Sequence, residues 1–252
     1  TWDDFLSAAE ELTVREGART VRYGVTDANL ANPWMWIWQN EGEAFDQSVN
    51  PSEILLTEPA TLEALKFYFS WVTEHQVAPP PADLEQAGGR QELFLAGRVA
   101  MLVDHRGPLV PLQAAQEDGT LDFEFGITEL PQGKVRATQL LYAGYSIAAA
   151  SEAQDAAWTF LKWISGPEAV PIFIGGGNAL PALVELAEDP ELAVEEPFRN
   201  SIEYARFLVS TPHWGEISSP ISEGMELIAL GELSVEEGAE AIKAEVDPIL
   251  QG

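Results

Sequence analysis

The residues able to do chemistry are few and unevenly placed. Trp34, Trp36 and Trp38 fall within the stretch Asn32 to Gly42, NPWMWIWQNEG, and Trp214 sits in a proline-bearing bend, STPHWGEISSP. An indole is large and amphipathic, is often only partly buried, and keeps an N–H that wants a partner. Clustered rings therefore suit either a concave binding wall or a dense core. His75, His105 and His213 are isolated, with no H-E-x-x-H or similar paired spacing, which leaves a zinc site without support. Gly175-Gly176-Gly177 lacks a following Lys-Ser or Lys-Thr and is not a phosphate loop. Cysteine is absent, so there is no thiolate ligand, thiol nucleophile or disulfide framework. No catalytic residue, metal ligand or cofactor is assigned. The enzymatic alternative is glycoside hydrolysis, which needs two carboxylates flanking a ring-lined cleft. Among 41 acidic residues such pairs arise by chance, and none is singled out.

Composition narrows the partners. The 252 residues carry 41 Asp and Glu against 13 Lys and Arg, a formal net charge of -28. Such a surface repels a phosphate backbone, so nucleic acid is not expected as a partner, and a neutral or cationic solute is favoured over an acidic one. A hydrophobic content of 46% is ample for one large or two small cores. No apolar run reaches the ~20 residues needed to span a bilayer. The chain opens on a helix signal rather than a secretory leader, so it is expected either to be cytosolic or to have its leader outside this sequence.

The elements that must position the candidates alternate in type. Thr1 and Asp4 form a capping arrangement for a helix with Phe5, Ala8, Ala9 and Leu12 along one side. Thr20 to Thr26, TVRYGVT, reads as a strand leading into the Trp cluster, where Pro33 suits the first turn of a short helix starting at Asn32 or Pro33. On that helix only Trp34 and Trp38 share a side. A long helix follows from Thr57 or Glu58, with Leu62, Leu65, Phe69 and Val72 at helical spacing. Pro79 to Pro81 force an extended link, RQELFLA makes a short helix stopping at Gly97, and VAMLVD is a buried strand. HRGPLVPLQAAQ turns into a helix. Phe123 to Thr128 and the run Gln139 to Ala150 read as strands, and EAQDAAWTFLKWI as an amphipathic helix. Trp2, Trp71, Trp158 and Trp163 lie on helical stripes and are assigned to core. The remainder is helical: Glu196 to Val209, Ile221 to Leu230, and Val235 to Leu250 behind Ser234. Strands alternating with helices define an α/β fold class.

The ordered series TWDDFLSAAEEL, the Trp segment ending in NEG, EPATLEALKFYFSWV, ELFLAGRVAML, LPQG, AGYSIAAASEAQDAAWTFLKWISGPEA, GNALP, Trp214 and GELSVEEGAEAIKAEV resembles one family. It is that of the carbohydrate-type extracellular solute-binding proteins of ABC importers, which includes maltose-binding protein. The resemblance implies a two-lobe fold of the type II periplasmic-binding-protein kind. It assigns residues 1–136 and 192–252 to the second lobe and 137–191 to the first, most of which it places outside this chain. It implies capture of a small solute, a sugar or oligosaccharide, between the lobes and delivery to the transmembrane subunits of a permease, with no cofactor and no catalysis. Location would be periplasmic or extracellular, with a lipid anchor to the outer face of the membrane as one form. A strand edge left unpaired at Gln139 to Ala150 is expected to favour dimerisation. A non-catalytic adhesin or scaffold explains less of the motif order.

The solute-binding candidates that the resemblance supplies are Trp34, Trp36, His105, Arg106, Tyr142, Gly144 and Trp214. Rings would stack on sugar faces, and Arg106 would fork to hydroxyls or a carboxylate at the end of a buried strand. The aromatic residue usual two positions after Gly107 is replaced by Leu109. Within the Trp segment, Trp34 and Trp36 are expected to meet solute, and Trp38 to anchor the helix. Replacing Trp36 would then harm binding more than folding, and replacing Trp38 the reverse.

Overall fold

The computed structural model describes residues 1–27, 33–174, 179–183, 186 and 195–252. In chain order the elements are α1 (Trp2–Leu12), β1 (Val14–Glu16), β2 (Arg19–Asp27), α2 (Trp34–Gln39), α3 (Pro59–Thr73), α4 (Pro81–Ala87), α5 (Arg90–Leu95), β3 (Val99–Val103) and α6 (Leu109–Glu117). There follow β4 (Thr138–Gln139), α7 (Gln154–Ile164), α8 (Val170–Ile174), α9 (Glu196–Ser201), β5 (Ala205–Arg206), α10 (Trp214–Ala229) and α11 (Val235–Gln251). They fall into two units. The first comprises Thr1–Asp104, Leu130–Leu140 and Tyr204–Gly252, and the second His105–Glu129 and Leu141–Glu203. Residues 105–129, read from sequence as part of the 1–136 segment, thus group with the second unit.

The first unit is built on a mixed sheet. β1 and β2 form an antiparallel hairpin turning at Gly17, whose φ of 63° suits a glycine. β2 then pairs in parallel with β3, Tyr23 opposite Val99 and Val25 opposite Met101. Helix α1 starts with the expected capping box: the Thr1 hydroxyl accepts from the Asp4 backbone N–H, and the Asp4 carboxylate reaches back. It lies against β2 at Gly24, where an added Cβ would stand 1.9 Å from the Ala9 carbonyl oxygen. Ala9 and Val25 are fully buried at this contact.

The C-terminal helices pack on each other and on α3. Ile217, Ile221, Met225 and Ile228 make the buried stripe of α10, and Ala239, Ile242, Val246 and Leu250 that of α11. The two helices interlock through glycines: a Cβ on Gly224 would meet Ile242, and one on Gly238 would meet Ile228. Ser234 and Glu237 form a second capping box, at α11. Lys243 ties α11 to the loop before α3, donating to the Ile54 carbonyl and pairing with Glu53 and Asp247.

Several sequence expectations change. Pro81, read as part of an extended link, instead starts α4 as its first residue, the position where its missing N–H costs nothing. The segment read as one helix from Glu196 to Val209 is a short helix, a 3₁₀ turn at Ile202–Tyr204 and strand β5. Helix α10 begins at Trp214, seven residues before the expected start, and runs through Pro220. Phe123 to Thr128 keeps its in-and-out alternation of burial but joins no ladder among the described residues. Of the run Gln139 to Ala150, only Gln139 is in a strand, where β4 pairs in parallel with β5. A periodic pattern specifies which side chains face inward, whereas a strand also needs a neighbour to pair with.

Tyr23 joins β2 to α4. Its ring is buried, and its hydroxyl donates to Asp83 Oδ2 at 2.6 Å. Burial, and then this bond to a carboxylate, push the phenol up to about 12. A raised phenol pKa means the protonated form is favoured in the folded state. Its contribution is therefore complete below pH 10 and is lost between pH 10 and 12. The expected size is about 1–2 kcal/mol, after discounting for solvent near the hydroxyl. Urea midpoints measured across that window should fall more steeply for the native chain than for Tyr23→Phe.

Candidate functional site

In the first unit, α2 supplies the Trp cluster. All six of its residues are buried, so neither side of the helix is left for solute. Trp36 is 0% exposed and lies among five other rings, with centroids at 6.1 Å (Trp2), 5.6 Å (Phe5), 5.9 Å (Phe67), 6.5 Å (Tyr68) and 4.7 Å (Trp71). The Trp71 contact is edge-to-face at 86°. Trp34 is likewise buried, 6.2 Å from Phe45. The expected solute-facing role of Trp34 and Trp36 is therefore corrected: α1 and α3 carry enough aromatic surface to enclose the helix, and burial of these rings outweighs exposure to a ligand.

Polar residues of α2 and its C-terminus fix it in place. Trp2 Nε1 donates to Gln39 Oε1 at 2.6 Å, and Gln39 Nε2 donates to the Ala137 carbonyl at 2.9 Å. Asn40 Nδ2 donates to the Ala60 carbonyl and to Glu63 Oε2. This bond from Asn40, with one from Lys134, holds the Glu63 carboxyl below its usual range. Trp38 is the anchor that was expected, buried, with the Arg206 guanidinium 5.0 Å from its ring centre. Arg206 is held there by Glu43, at 2.9 and 2.8 Å to its two carboxylate oxygens. Arg136 lies similarly over Tyr204, at 4.0 Å. These two stacks flank the β4–β5 pair. Nothing in the sequence signals them, because each joins residues far apart in the chain.

Trp214 is different. It opens α10 and is 40% exposed. The bend before it is pinned by backbone: Asn50 N donates to the Ser210 carbonyl at 2.8 Å, and Ser210 N to the Ser48 carbonyl at 2.7 Å. Thr211 Oγ1 accepts from His213 N, and the His213 carbonyl accepts from Glu216 N and Ile217 N, closing the first helical turn. The backbone that carries the indole is thus already ordered, so a partner meeting the ring would not have to order that backbone.

In the second unit, His105 is exposed and its ring folds beside Gly107. Arg106 is largely buried and committed: Nε donates to Glu195 Oε2 at 2.7 Å, NH2 to Oε1 at 3.3 Å, and NH1 to the Ala179 carbonyl at 3.4 Å. The pair is a bidentate fork that ties the turn ahead of α6 to the start of α9. The free fork expected at Arg106 is thus used inside the protein, by a carboxylate 89 residues away. Leu109 packs inward as the first residue of α6. Tyr142 and Gly144 are exposed, and a Cβ on Gly144 would meet open space. Asn178 and Gly175-Gly176-Gly177 lie outside the described residues. No cluster of three or more His, Asp or Glu with metal-binding geometry occurs among the described residues.

A mixed sheet flanked by helices, two units crossed by several chain segments and an exposed aromatic residue on a fixed bend are features of a binding scaffold. Residues 1–171 match the bacterial extracellular solute-binding proteins, and the chain belongs to that family. It is 28% identical to the maltotriose-binding protein of Pyrococcus abyssi over 67% of this chain and 38% of that protein. It is 24% identical to the galactooligosaccharide-binding protein of Bacillus subtilis over 81% of this chain and 50% of that one. The chain thus spans half or less of the length of these curated relatives. The fold is shared with a Listeria monocytogenes ABC substrate-binding protein solved with cycloalternan, at a TM-score of 0.78 and 24% identity, over 99% of this chain and 62% of that one. It is shared equally with the maltose/maltodextrin-binding domain of Bdellovibrio bacteriovorus bound to maltotriose, at 0.79 and 20% identity, over 99% and 66%. These likenesses establish the type II periplasmic-binding-protein fold.

Proposed function

We propose that this chain captures a sugar or oligosaccharide for an ABC importer and presents it to the permease outside the cell membrane, without catalysing a reaction. The observation that carries this reading is Trp214, a large ring exposed on a backbone-pinned bend of the first unit. Family membership supports the capture role, and the sugars in the names of the relatives support the solute class. The lobes expected from the resemblance remain part of the proposal, with His105 and Trp214 on the one made of residues 1–136 and 192–252 and Tyr142 and Gly144 on the other. Arg106 then serves by fixing the turn that carries His105 rather than by touching solute. A periplasmic or surface-anchored location follows from the role.

Stacking of one ring contributes about 0.5–1.5 kcal/mol beyond area burial. Trp214→Ala should therefore weaken sugar binding by roughly two- to tenfold. Because the ring is half out of the core, the unfolding midpoint should barely move. Calorimetric titration with maltotriose and with galactooligosaccharides checks this. Unchanged affinity in the variant would remove Trp214 from the site, and cleavage of the glycosidic bond by the native chain would overturn the non-catalytic reading.

A further inference from the structure

Exposure alone does not single out Trp214. Trp158 and Trp163, assigned to core because they lie on helical stripes, are 52% and 48% exposed, since spacing says which side a residue takes and not what covers it. What distinguishes Trp214 is the loop that holds its bend. Residues 46–50 of the first unit are all exposed, and none belongs to a hydrophobic core, yet the loop is closely tied. Asp46 Oδ1 accepts from Ser52 N at 3.0 Å and from Glu53 N at 3.3 Å, and Asp46 Oδ2 accepts from the Ser52 hydroxyl at 2.7 Å. Gln47 Nε2 donates to the Asn50 carbonyl at 2.7 Å. At the tip Asn50 has a φ of 49°, the left-handed region that residues with a side chain seldom adopt. An exposed backbone keeps such a conformation only where its surroundings enforce it, and such outliers gather at functional sites.

The tip is paired with the bend. The Ser48 carbonyl accepts from Ser210 N, and Asn50 N donates to the Ser210 carbonyl, so Val49 stands beside Ser210 as in a parallel ladder. With the base of the loop fixed by Asp46, turning Asn50 to a negative φ would swing these groups off Ser210. Beyond Ser210 the chain has little slack before the indole: Thr211 Oγ1 accepts from His213 N at 3.2 Å, and the Thr211 carbonyl accepts from Trp214 N at 3.4 Å. We propose that Asn50 is a positioning residue for the sugar site, its left-handed backbone holding the loop tip on Ser210 and so setting where the bend presents Trp214. The proposal deepens the sugar reading and rests on it. A merely stabilising loop would matter equally with or without the indole, whereas a positioning loop acts only through it.

The test is a double-mutant cycle read by calorimetric titration with maltotriose and with galactooligosaccharides, with hydrogen exchange reporting the pairing at Ser210. Glycine adopts positive φ readily, and β-branched valine does not. Asn50→Val should therefore weaken binding by roughly two- to tenfold, no more than Trp214→Ala does, and Asn50→Gly by less than about twofold. In the Trp214→Ala background Asn50→Val should add less than about twofold, because residues acting through one another are not additive. The Asn50 and Ser210 amides should exchange at least roughly tenfold faster in Asn50→Val and at native rates in Asn50→Gly, while slow exchange in α10 reports a folded first unit. Should Asn50→Val lose that slow exchange, Asn50→Ala carries the same expectations. Slow Ser210 exchange retained in Asn50→Val would overturn the proposal, as would faster exchange with undiminished affinity. So would an equal loss of affinity with and without Trp214, or a loss in Asn50→Gly matching that in Asn50→Val. If Trp214→Ala alone leaves affinity unchanged, or the native chain binds neither sugar, the sugar reading has failed and this proposal falls with it. That failure is told apart from the others because it shows without any change at Asn50.

Discussion

Trp36→Ala is expected to lower the unfolding free energy of the first unit by about 3–5 kcal/mol, the range for removing a fully buried large aromatic side chain. The ring is 0% exposed and touches the rings of Trp2, Phe5, Phe67, Tyr68 and Trp71, which belong to two different helices. Those helices are held by many other contacts and cannot collapse freely into the space, so a cavity is left as well as the lost transfer energy. Urea unfolding followed by far-ultraviolet circular dichroism measures the effect without relying on the indole that was removed. A loss below about 1 kcal/mol would mean that the ring is not where the structure puts it. The comparison with Trp214→Ala is informative, because the same chemical deletion should cost stability at one site and sugar affinity at the other.

Gly24→Ala should cost about 3 kcal/mol, the upper end of the usual range for overpacking. A single methyl group is a small change, and its position makes it severe. The added carbon would lie 1.9 Å from the Ala9 carbonyl oxygen and 2.7 Å from its Cα, atoms of the α1 backbone that no rotamer change can move aside. To admit it, α1 must lift from β2 and draw Phe5 away from Trp36 and Trp71. The double variant Ala9→Gly with Gly24→Ala should recover little, since the clash is with backbone. Recovery to native stability in that variant, measured by the same urea titration, would refute the close approach.

Much of the architecture was legible in the sequence because it is governed by local rules. The capping boxes at Thr1 and Ser234, the proline at the start of α3, the left-handed Gly97 and the apolar stripes of α1, α3 and α11 each depend on residues within one or two turns of one another. The order of such motifs also carried the family. Their local logic failed where pairing partners decide the outcome: Ala205 and Arg206 read as helix but form a strand because Thr138 and Gln139 lie beside them.

The site shows the same division. Composition determined that this is an acidic, cysteine-free chain rich in indoles, and spacing placed three of those indoles on one short helix. Which rings are enclosed was decided only by the tertiary structure, since α1 and α3 bring Trp2, Phe5, Phe67 and Trp71 around Trp36 from positions up to 35 residues away (71 − 36 = 35). In the same way Glu195 claims Arg106, and Glu43 positions Arg206 on Trp38, through contacts no local pattern encodes. The reason is physical: burial and ion pairing depend on what the folded chain brings near a side chain, whereas sequence pattern reports only on neighbours along it.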